Sequence, residues 1–388
     1  MGKTYESVQS LASEDRHDPP HIVQELLGAA DIRINGDAPW DLQVHDPALY
    51  RRVLTGGSLA FGEAYMDGLW DSPRLDQFFH RLLRVDADER LKGWARIRLL
   101  GEILRYRLFN HQSIRRAFQV GEQHYDLGND VFTAMLDPSM AYSCAYWHKA
   151  ANLADAQLAK YELICRKLEL KAGEKLLDIG CGWGGLAQYA AEHYGVHVHG
   201  ITVSREQQSL AQARCAGLPV EIEVIDYREL QGRFDKIVSV GMFEHVGPKN
   251  YAVYFSTVNR LLADNGLFLL HSIGNYTSSR GCDDWLDKYI FPNGHLPAAH
   301  EIAAAVDRLF LIEDWHNFGP DYDRTLMAWW DNFNRAWPQL EAKYGQRFYR
   351  MWKYYLMCCA GFFRSRQGQL WQLVLSKRAR PQAYRSIR

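Results

Sequence analysis

Residues 175–188 read KLLDIGCGWGGLAQ, and this stretch decides the fold of the chain. Its apolar run at 176–179, interrupted by one acid, predicts a short buried strand. A cluster of four glycines follows, and residues 186–194 then predict a helix that ends at Gly195. A strand, a glycine turn and a helix start together form a cradle for a nucleotide-like ligand. Glycines let the backbone approach the ligand, and a helix N-terminus offers unpaired N–H groups.

The spacing of Gly180, Gly182 and Gly185 also fits the dinucleotide fingerprint G-x-G-x-x-G, which is weak evidence by itself. A dinucleotide site has an acid about 20 residues further on, at the end of the second strand, to hold the ribose hydroxyls. The second apolar run, 196–203, ends without an acid, and the acid instead precedes the glycines as Asp178. A D-x-G sequence in this position is typical of S-adenosylmethionine-dependent methyltransferases. The stretch therefore predicts a methyl-donor site in preference to a glycine-rich turn without a ligand.

Strands and helices alternate after this stretch, as in a doubly wound α/β sheet. The pattern predicts a class I methyltransferase fold with seven strands, at residues 175–179, 197–203, 221–225, 234–240, 267–271, 309–314 and 370–375. Two aromatic-rich helices are predicted between the last two strands, at 322–337 and 346–363. An insertion on the ligand side of such a sheet is a natural cap over a substrate.

The length of 388 residues is enough for two substantial cores. We expect a smaller, mostly helical N-terminal domain over residues 1–118, with 1–20 loosely attached. A linker and active-site lid is expected over 119–150, because this segment is rich in glycine, asparagine and aromatic residues. The methyltransferase domain is then expected over 151–388.

Local signals predict three elements in the N-terminal domain. Residues 31–34 and 41–44 flank an N-G turn and predict a small hairpin. Asp46-Pro47 predicts the start of a helix that runs to Leu54, before two glycines. Ser72-Pro73 predicts a second helix, through Leu83.

Composition excludes several classes of protein. The net charge of −1 gives no electrostatic basis for binding nucleic acid. The seven cysteines show no C-x-x-C spacing, which indicates a reducing cytosol and neither a disulfide scaffold nor a zinc site. The polar N-terminus does not read as a secretory signal, and no run of about 18 apolar residues predicts a membrane span. His197 and His199 alternate along a strand, but no third ligand has suitable spacing, so we expect no metal.

Residues 94–109 predict a basic amphipathic helix. Apolar residues recur at helical spacing from Trp94 to Leu108, and the region 81–118 holds ten Lys or Arg against four Asp or Glu. Such a helix can lie on an anionic membrane surface, or it can pack its apolar stripe on the core of the protein itself. The C-terminal residues 376–388 carry five further basic residues and no acid, and form a second candidate for an anionic contact.

The chain resembles the cyclopropane-fatty-acyl-phospholipid synthases in segments that span nearly its whole length. These segments read HYDLGNDVF (124–132), YSCAYW (142–147), LLDIGCGWGGLA (176–187), GITVSREQ (200–207), DYREL (226–230), SVGMFEHVG (239–247), HSIG (271–274), GPDYDRTL (319–326) and CCAGFFR (358–364). The mycolic-acid cyclopropane synthases share the catalytic half but lack an N-terminal region of this size.

The resemblance implies transfer of a methylene group from S-adenosylmethionine to the cis double bond of an unsaturated acyl chain in a membrane phospholipid. S-adenosylhomocysteine and a proton are the other products. It also implies a cytoplasmic enzyme, usually a homodimer, that associates peripherally with the inner face of the membrane. This favours the interpretation of residues 94–109 as a helix that lies on a membrane surface.

The resemblance further implies that a bound bicarbonate ion acts as the base. In the family its site is formed by a cysteine, a glutamate, a histidine, an isoleucine backbone group and a tyrosine. By motif these are Cys144, Glu244, His271, Ile273 and Tyr322. We expect Glu244 and His271 at the carboxyl ends of strands four and five, where open α/β sheets place their active sites.

Cys359 begins the C-A-G motif of the family and is a further candidate catalytic residue. No step of the reaction requires a covalent enzyme intermediate, so we expect it to line the pocket and not to act as a nucleophile. The reaction passes through a carbocation, which aromatic faces stabilise without capturing it. Aromatic candidates for this role, each of which can also be plain core packing, are Tyr142, Tyr146, Phe243, Tyr322, Trp329 and Trp330.

The resemblance assigns the donor-binding residues in four groups. We expect Asp178, Gly180 and Gly182 to contact the methionine moiety, Tyr142 and Ser143 to close over it, Thr202 and Gln207 to hold the ribose, and Asp226 and Tyr227 to hold the adenine. Gln207 has a second interpretation, since it lies three residues after Ser204 and fits a helix capping box.

Two other functions stay open. A methyltransferase for another lipid, small molecule or protein would share the donor site. A non-enzymatic membrane-binding protein with a degenerate nucleotide fold is disfavoured by the intact Asp178 and glycine cluster.

Overall fold

The computed structural model describes residues 19–85, 128–278 and 281–388. Three sequence predictions lie outside these ranges: most of the loosely attached terminus 1–20, the basic helix 94–109, and the first part of the lid, 119–127.

The described N-terminal residues, 19–85, are mainly helical. In chain order they form helix α1 (His21–Ala29), strand β1 (Gln43–Val44), helix α2 (Ala48–Met66), strand β2 (Trp70–Asp71) and helix α3 (Leu75–Arg84).

The hairpin predicted for 31–34 and 41–44 is wrong. Ile34 forms only an isolated bridge with Leu42, and β1 pairs instead with β2 in an antiparallel ladder. The reason is the buried side chain of Asp41, which accepts hydrogen bonds from the backbone N–H groups of Arg33 (2.8 Å) and Ala38 (2.9 Å). A side chain therefore closes this turn in place of a backbone ladder.

The helix predicted to end at Leu54 is the first part of α2, whose helical residues extend to Met66. Gly57 has a non-helical backbone conformation (φ 60°, ψ −142°) that divides α2 into two helical halves, so the first half ends at the two glycines as predicted. The second half, which was not predicted from the sequence, buries Ala64, Tyr65 and Met66 in the core.

The rest of the described chain alternates between helices and strands. Its main elements are α4 (Asn129–Met135), α5 (Leu153–Lys167), β3 (Lys175–Ile179), α6 (Gly185–Tyr194), β4 (His197–Thr202), α7 (Arg205–Arg214), β5 (Val220–Val224), β6 (Phe234–Val240), α8 (Tyr251–Leu261), β7 (Leu262–Asn275), α9 (Asp284–Tyr289), α10 (Ala299–Val306), β8 (Leu311–Asn317), α11 (Pro320–Arg364) and β9 (Gly368–Ser376).

Seven strands form one mixed sheet in the order β5-β4-β3-β6-β7-β9-β8. The pairs from β5 to β7 are parallel, and β9 is antiparallel to both of its neighbours. The order reverses beside β3, where open α/β sheets bind their ligands. The predicted doubly wound α/β fold is confirmed.

Strand boundaries agree with the predictions within a few residues, with one exception. The fifth strand, predicted as 267–271, extends as β7 from Leu262 to Asn275. Its last residues pair with the start of β9 (Asn275 opposite Gly368), a long-range pairing that no local signal announces.

Helix α11 is the insertion predicted between the last two strands. Gly345 (φ 71°, ψ 165°) interrupts it and separates the two predicted helices. The helix packs against α3, and its residues share one hydrophobic core with those of α2, α3 and α4. None of the helices in the described ranges is long and apolar enough to cross a bilayer.

Candidate active site

A cavity of about 220 Å³ lies at the carboxyl ends of β3, β4 and β6. All nine predicted donor-binding residues line it: Tyr142, Ser143, Asp178, Gly180, Gly182, Thr202, Gln207, Asp226 and Tyr227. They come from the segment before α5, from the ends of β3 and β4, from the first turn of α7, and from the loops that follow β3 and β5. The fold thus brings together residues that are up to 85 positions apart in the sequence.

The glycine turn shapes one wall of this donor cavity. Gly180 has φ +85°, and a Cβ atom there would come within 2.9 Å of the Met242 side chain. Gly182 has φ +54° with open space where a side chain would be. Both conformations disfavour any residue with a Cβ atom, so these positions need glycine for their backbone geometry and leave room beside the turn.

Asp178 and Lys160 form a buried pair of charged groups at the cavity. Burial raises the pKa of Asp178 to about 7, although Lys160 opposes the rise. Burial also lowers the pKa of Lys160 to about 8, against the attraction of Asp137, Cys144 and Asp178. Lys160 donates a hydrogen bond of 2.7 Å to the Ser143 hydroxyl and so fixes that side chain at the cavity wall.

The backbone and the side chain of Gln207 have different hydrogen-bond partners. Its backbone N–H donates to the Ser204 hydroxyl (3.3 Å) and caps α7, whereas its side-chain oxygen accepts from the Thr202 hydroxyl (2.8 Å). The side chain does not complete a capping box. It remains at the cavity wall together with Thr202, where both can meet a ligand.

The carboxylate of Asp226 is held in place by a neighbouring arginine side chain. Arg228 donates two hydrogen bonds to its carboxylate, of 2.7 and 2.6 Å, so the acid is fixed and charge-compensated. Tyr227 lies beside it with its ring buried.

A second group of predicted residues lies directly beside the donor cavity. The cavity is lined by Ser143, Met242 and His245. Cys144 directly follows Ser143 in the sequence, and Glu244 lies between Met242 and His245. Cys144 is buried in a small apolar cluster with Phe318 and Leu370, against which Ile273 and Tyr322 pack. The His271 ring lies 5.9 Å from the Phe318 ring, so it adjoins the same cluster.

Glu244 lies in a short 3₁₀ helix after β6 (Phe243–His245). One carboxylate oxygen, Oε1, accepts a 2.7 Å hydrogen bond from the backbone N–H of Ile273. The other, Oε2, is buried and makes no hydrogen bond within the described residues. Burial raises the pKa of Glu244 to about 7, partly offset by the Ile273 N–H and by the nearby Ser272 hydroxyl.

His271 is 1% exposed and lies inside β7, four residues before its end and not at its end as predicted. Its Nδ1 atom is 3.2 Å from the side-chain nitrogen of Gln372. Its Nε2 atom is buried and has no hydrogen-bond partner in the described part of the chain. Burial holds the pKa of His271 well below its usual value, and Lys160 and Lys167 lower it further, so the ring is neutral.

Tyr322 and Cys144 stay protonated in this environment. Burial raises the pKa of each well above its usual value, and Cys144 and Glu244 are among the groups that add to the rise for Tyr322. Protonated hydroxyl and thiol groups are hydrogen-bond donors. The Tyr322 ring stacks on Phe363 at 4.5 Å.

Cys359 belongs to the large aromatic core around α11, where it contacts the cluster that contains Tyr355. Burial raises its pKa, so the thiol is not ionised. It also contributes to the raised pKa of Tyr322. The expectation that it lines the pocket stays a prediction.

Among the described residues, no group of three or more His, Cys, Asp or Glu side chains is arranged to hold a metal ion. His199 instead lies 3.0 Å from the Glu223 carboxylate.

The sequence matches the family model for mycolic acid cyclopropane synthetase over residues 112–373, more than half of the chain. The chain belongs to this family. The cyclopropane-fatty-acyl-phospholipid synthase of Escherichia coli (strain K12) is 55% identical to it over 358 residues, which cover 92% of this chain and 93% of that protein.

Solved structures of cyclopropane synthases have the same fold. Mycobacterium tuberculosis MmaA2 is 30% identical, with a TM-score of 0.63, and the match covers 67% of this chain and 98% of that one. The mycolic acid cyclopropane synthase CmaA1, solved in complex with SAH and CTAB, is 32% identical, also with a TM-score of 0.63 and the same coverage. This cyclopropane synthase family member is an S-adenosylmethionine-dependent methyltransferase. The buried acid, the glycine turn and the ring of Tyr227 at its cavity suit that donor.

Three residues of the site were missed at the sequence level. Lys160 lies on α5 with no signal that it faces inward. Thr325, one helical turn after Tyr322, accepts from the backbone of Ala145 (3.1 Å) and the indole of Trp147 (2.9 Å). Gln372 is a polar residue in an apolar strand, LWQLVL, and that contrast was the available signal.

Proposed function

We propose that this chain transfers a methylene group from S-adenosylmethionine to the cis double bond of unsaturated acyl chains in phospholipids, with bicarbonate as the base. The alkene attacks the donor methyl group, the carbon–sulfur bond breaks, one proton leaves the transferred carbon, and ring closure gives a cyclopropane. S-adenosylhomocysteine and the proton are the other products. The likeness to the E. coli phospholipid enzyme, close in sequence and over nearly the full length, supports this substrate class.

One observation carries the assignment of the reaction centre. Glu244 Oε2 and His271 Nε2 are buried polar atoms without hydrogen-bond partners in the described residues. Glu244 accepts from the Ile273 backbone and the His271 ring lies beside Phe318, and both of these neighbours belong to one apolar cluster. Orphaned buried polar atoms are costly unless a ligand satisfies them. One is an acceptor and the other, on a neutral ring, can be a donor. Bicarbonate offers the complement, an O–H group and acceptor oxygens.

Each predicted residue then has a role. We assign Glu244 to accept the O–H group of bicarbonate, and His271, Tyr322 and Cys144 to donate to its oxygens or border it. The Ile273 N–H is engaged by Glu244, so its role is to orient that carboxylate. Bicarbonate supplies a weak base for an acidic proton at a place where water is excluded.

Aromatic rings border the same region. The Tyr142 ring lies 5.2 Å from Trp329, and Tyr322 lies 6.0 Å from Trp329 in an edge-on arrangement. The hydroxyl groups of Tyr142 and Tyr355 are 2.7 Å apart. These rings supply π faces toward a developing cation and keep out water, which would trap it as an alcohol.

For the donor, we propose Asp178 as the partner of its ammonium group, with Gly180 and Gly182 beside the methionine moiety. Thr202 and Gln207 would hold the ribose, Asp226 and Tyr227 the adenine, and Tyr142 and Ser143 would cover the site. The cavity lining supports these assignments.

Replacing Glu244 by glutamine tests the reaction centre. The isosteric Glu244→Gln variant keeps the volume but loses the carboxylate, so we expect methylene transfer to fall about 10²- to 10⁴-fold. Calorimetric titration with S-adenosylmethionine should give unchanged affinity. The exposed Glu192→Gln is the matched control and should behave as the parent. An E244Q rate within a few-fold of the parent rate would contradict the assignment.

Membrane association is proposed for residues 94–109 within an N-terminal domain, 1–118. The basic excess and apolar stripe of the sequence support it. Sedimentation with anionic vesicles should depend on salt and should weaken when Arg96, Arg98, Arg105 and Arg107 are changed to glutamine. Equal binding by parent and variant would remove this segment from the contact.

The remaining expectations come from the family resemblance. We propose a cytoplasmic homodimer at the inner face of the membrane, with residues 119–150 as a lid over the site. Sedimentation equilibrium at twice the chain mass would support the dimer, and the mass of a single chain at micromolar concentration would contradict it.

A further inference from the structure

His271 and Gln372 are directly opposite each other on neighbouring antiparallel strands, β7 and β9. Directly opposed residues project their side chains to the same face of a sheet and contact one another. Gln372 is fully buried, and its side-chain nitrogen lies 3.2 Å from His271 Nδ1. The contact is therefore built into the strand register.

Which of the two nitrogen atoms donates in this contact determines where the proton of the histidine ring lies. In the orientation that the structure gives the Gln372 amide, its nitrogen faces Nδ1 and donates, so Nδ1 accepts and carries no hydrogen. The amide oxygen, Oε1, is buried and makes no hydrogen bond within the described residues. A neutral imidazole has one N–H group, which is then at Nε2. Nε2 is the buried atom that has no partner among the described residues.

The opposite form of the ring would defeat the site. With the hydrogen on Nδ1, Nε2 would present a lone pair to an anion, and His271 Nδ1 would oppose the Gln372 nitrogen as a second donor unless the amide turned its oxygen toward the ring. A neutral histidine without a partner at Nδ1 can populate both forms. Control of the tautomer thus decides whether His271 attracts or repels an anion.

We propose that Gln372 is a positioning residue that holds His271 in the Nε2–H form, so that Nε2–H donates to the bound anion. This inference rests on the proposed function, in which His271 faces bicarbonate. Gln372 does not itself touch the reacting atoms; it acts through the ring of His271.

The first test reads the tautomer in the parent protein without ligands. Protein labelled with ¹⁵N at its histidines is studied by long-range ¹H–¹⁵N spectroscopy near neutral pH, and His271→Asn assigns the signal. We expect the His271 Nδ1 resonance of an unprotonated nitrogen and the Nε2 resonance of a protonated one. A protonated Nδ1, or an imidazolium ring, would overturn the proposal.

The second test removes the amide. Gln372→Met is similar in volume and cannot hydrogen-bond in this way, so both tautomers should be seen. The apparent KM for bicarbonate should rise about 10- to 100-fold, the effect of one hydrogen bond to a charged group. The kcat at saturating bicarbonate should stay within about threefold of the parent value. An unchanged KM with the Nε2–H form retained would overturn the proposal.

Gln369→Met is the matched control. It lies on the same strand, opposite Gly274, and its side chain contacts Asn317 and Trp371, away from His271. It should leave the tautomer and the bicarbonate KM unchanged. A comparable rise in KM for this control would reduce the effect of Gln372 to strand packing and would overturn the proposal.

The bicarbonate base and the role of Gln372 can be contradicted independently of each other. A parent rate that is independent of added bicarbonate, in buffers stripped of carbon dioxide, would contradict the proposed base. The ¹⁵N spectra would still show whether Gln372 sets the His271 tautomer. If Gln372→Met does not fold, the spectra of the parent protein alone decide.

Discussion

Burial gives Asp178 and Lys160 unusual acid–base properties beside the donor cavity. The pKa of Asp178 is raised to about 7, and that of Lys160 is lowered to about 8. Both groups therefore change charge near neutral pH, where ordinary aspartate and lysine side chains do not. A donor that carries a positive charge should sense this change directly.

Donor affinity is predicted to depend on pH through Asp178. Because its pKa is raised to about 7, the carboxylate takes up a proton as the pH falls through that value and can no longer pair with an ammonium group. Affinity for S-adenosylmethionine should weaken below about pH 7, approaching tenfold per pH unit. Calorimetric titrations from about pH 8 to about pH 6 measure it.

Asp178→Asn supplies the comparison for this prediction. Its affinity should be low and should lack the steep fall below about pH 7, since the titrating carboxylate is absent and only Lys160 still titrates in this range. A parent affinity that is flat across this range would contradict the assigned role of Asp178.

Residues of the site differ in how far the sequence could predict them. Asp178 and the glycines were predictable because they are local: their spacing carries the backbone geometry. Glu244 and His271 came from a family resemblance, since only the fold brings residues 27 positions apart together. Gln372 could not be found in this way, because its contact depends on which residue of β7 it faces.

At the scale of elements, the close packing of α11 on α3 explains why the C-A-G motif ends in a glycine. A Cβ atom on Gly361 would come within 2.5 Å of the Phe79 side chain and 2.7 Å of the His80 backbone nitrogen. Gly361 thus allows the two helices to approach closely. Two ion pairs add to this helix contact. The guanidinium nitrogens of Arg364 lie 2.6 Å from a carboxylate oxygen of the buried Asp76 and 2.8 Å from one of Asp323.

Gly361→Ala should destabilise the protein by about 1–3 kcal/mol, the usual cost of overpacking a tight contact. The measurement is urea unfolding followed by tryptophan fluorescence. Gly28→Ala in α1 is the control, because a Cβ atom there meets nothing within 4 Å. That variant should be neutral or more stable by up to about 1 kcal/mol. Equal stability of the two variants would contradict the role of Gly361.

Elements were predictable where local pattern decided them. Apolar runs and caps located the sheet strands and the two halves of α11 to within a few residues. The misses have two causes, long-range burial or pairing and a local side-chain hydrogen bond. The second half of α2, beyond Gly57, buries Tyr65 in the core, and β7 extends to Asn275 to pair with β9. Asp41 closes a turn through its side chain, which propensity for a hairpin does not reveal.

At the scale of the whole molecule, three distant parts of the chain meet at the reaction centre. The segment 142–147 is tied to α11 by Thr325 and by Asp321, which accepts from the Trp147 N–H at 2.7 Å. The third part supplies His271 from β7 and Glu244 from the 3₁₀ helix that follows β6. The donor cavity and the apolar cluster therefore share a boundary at Ser143 and Cys144, as transfer between two bound substrates requires.

The most direct test of the central claim is the product. The protein is incubated with methyl-labelled S-adenosylmethionine, bicarbonate and vesicles of cis-unsaturated phospholipid, and the released acyl chains are analysed by mass. The account predicts a gain of one CH₂ on the unsaturated chains, with the label in a ring and no double bond left. Label in a methyl branch, or no label in lipid despite tight donor binding, would contradict it and favour a methyltransferase of another specificity.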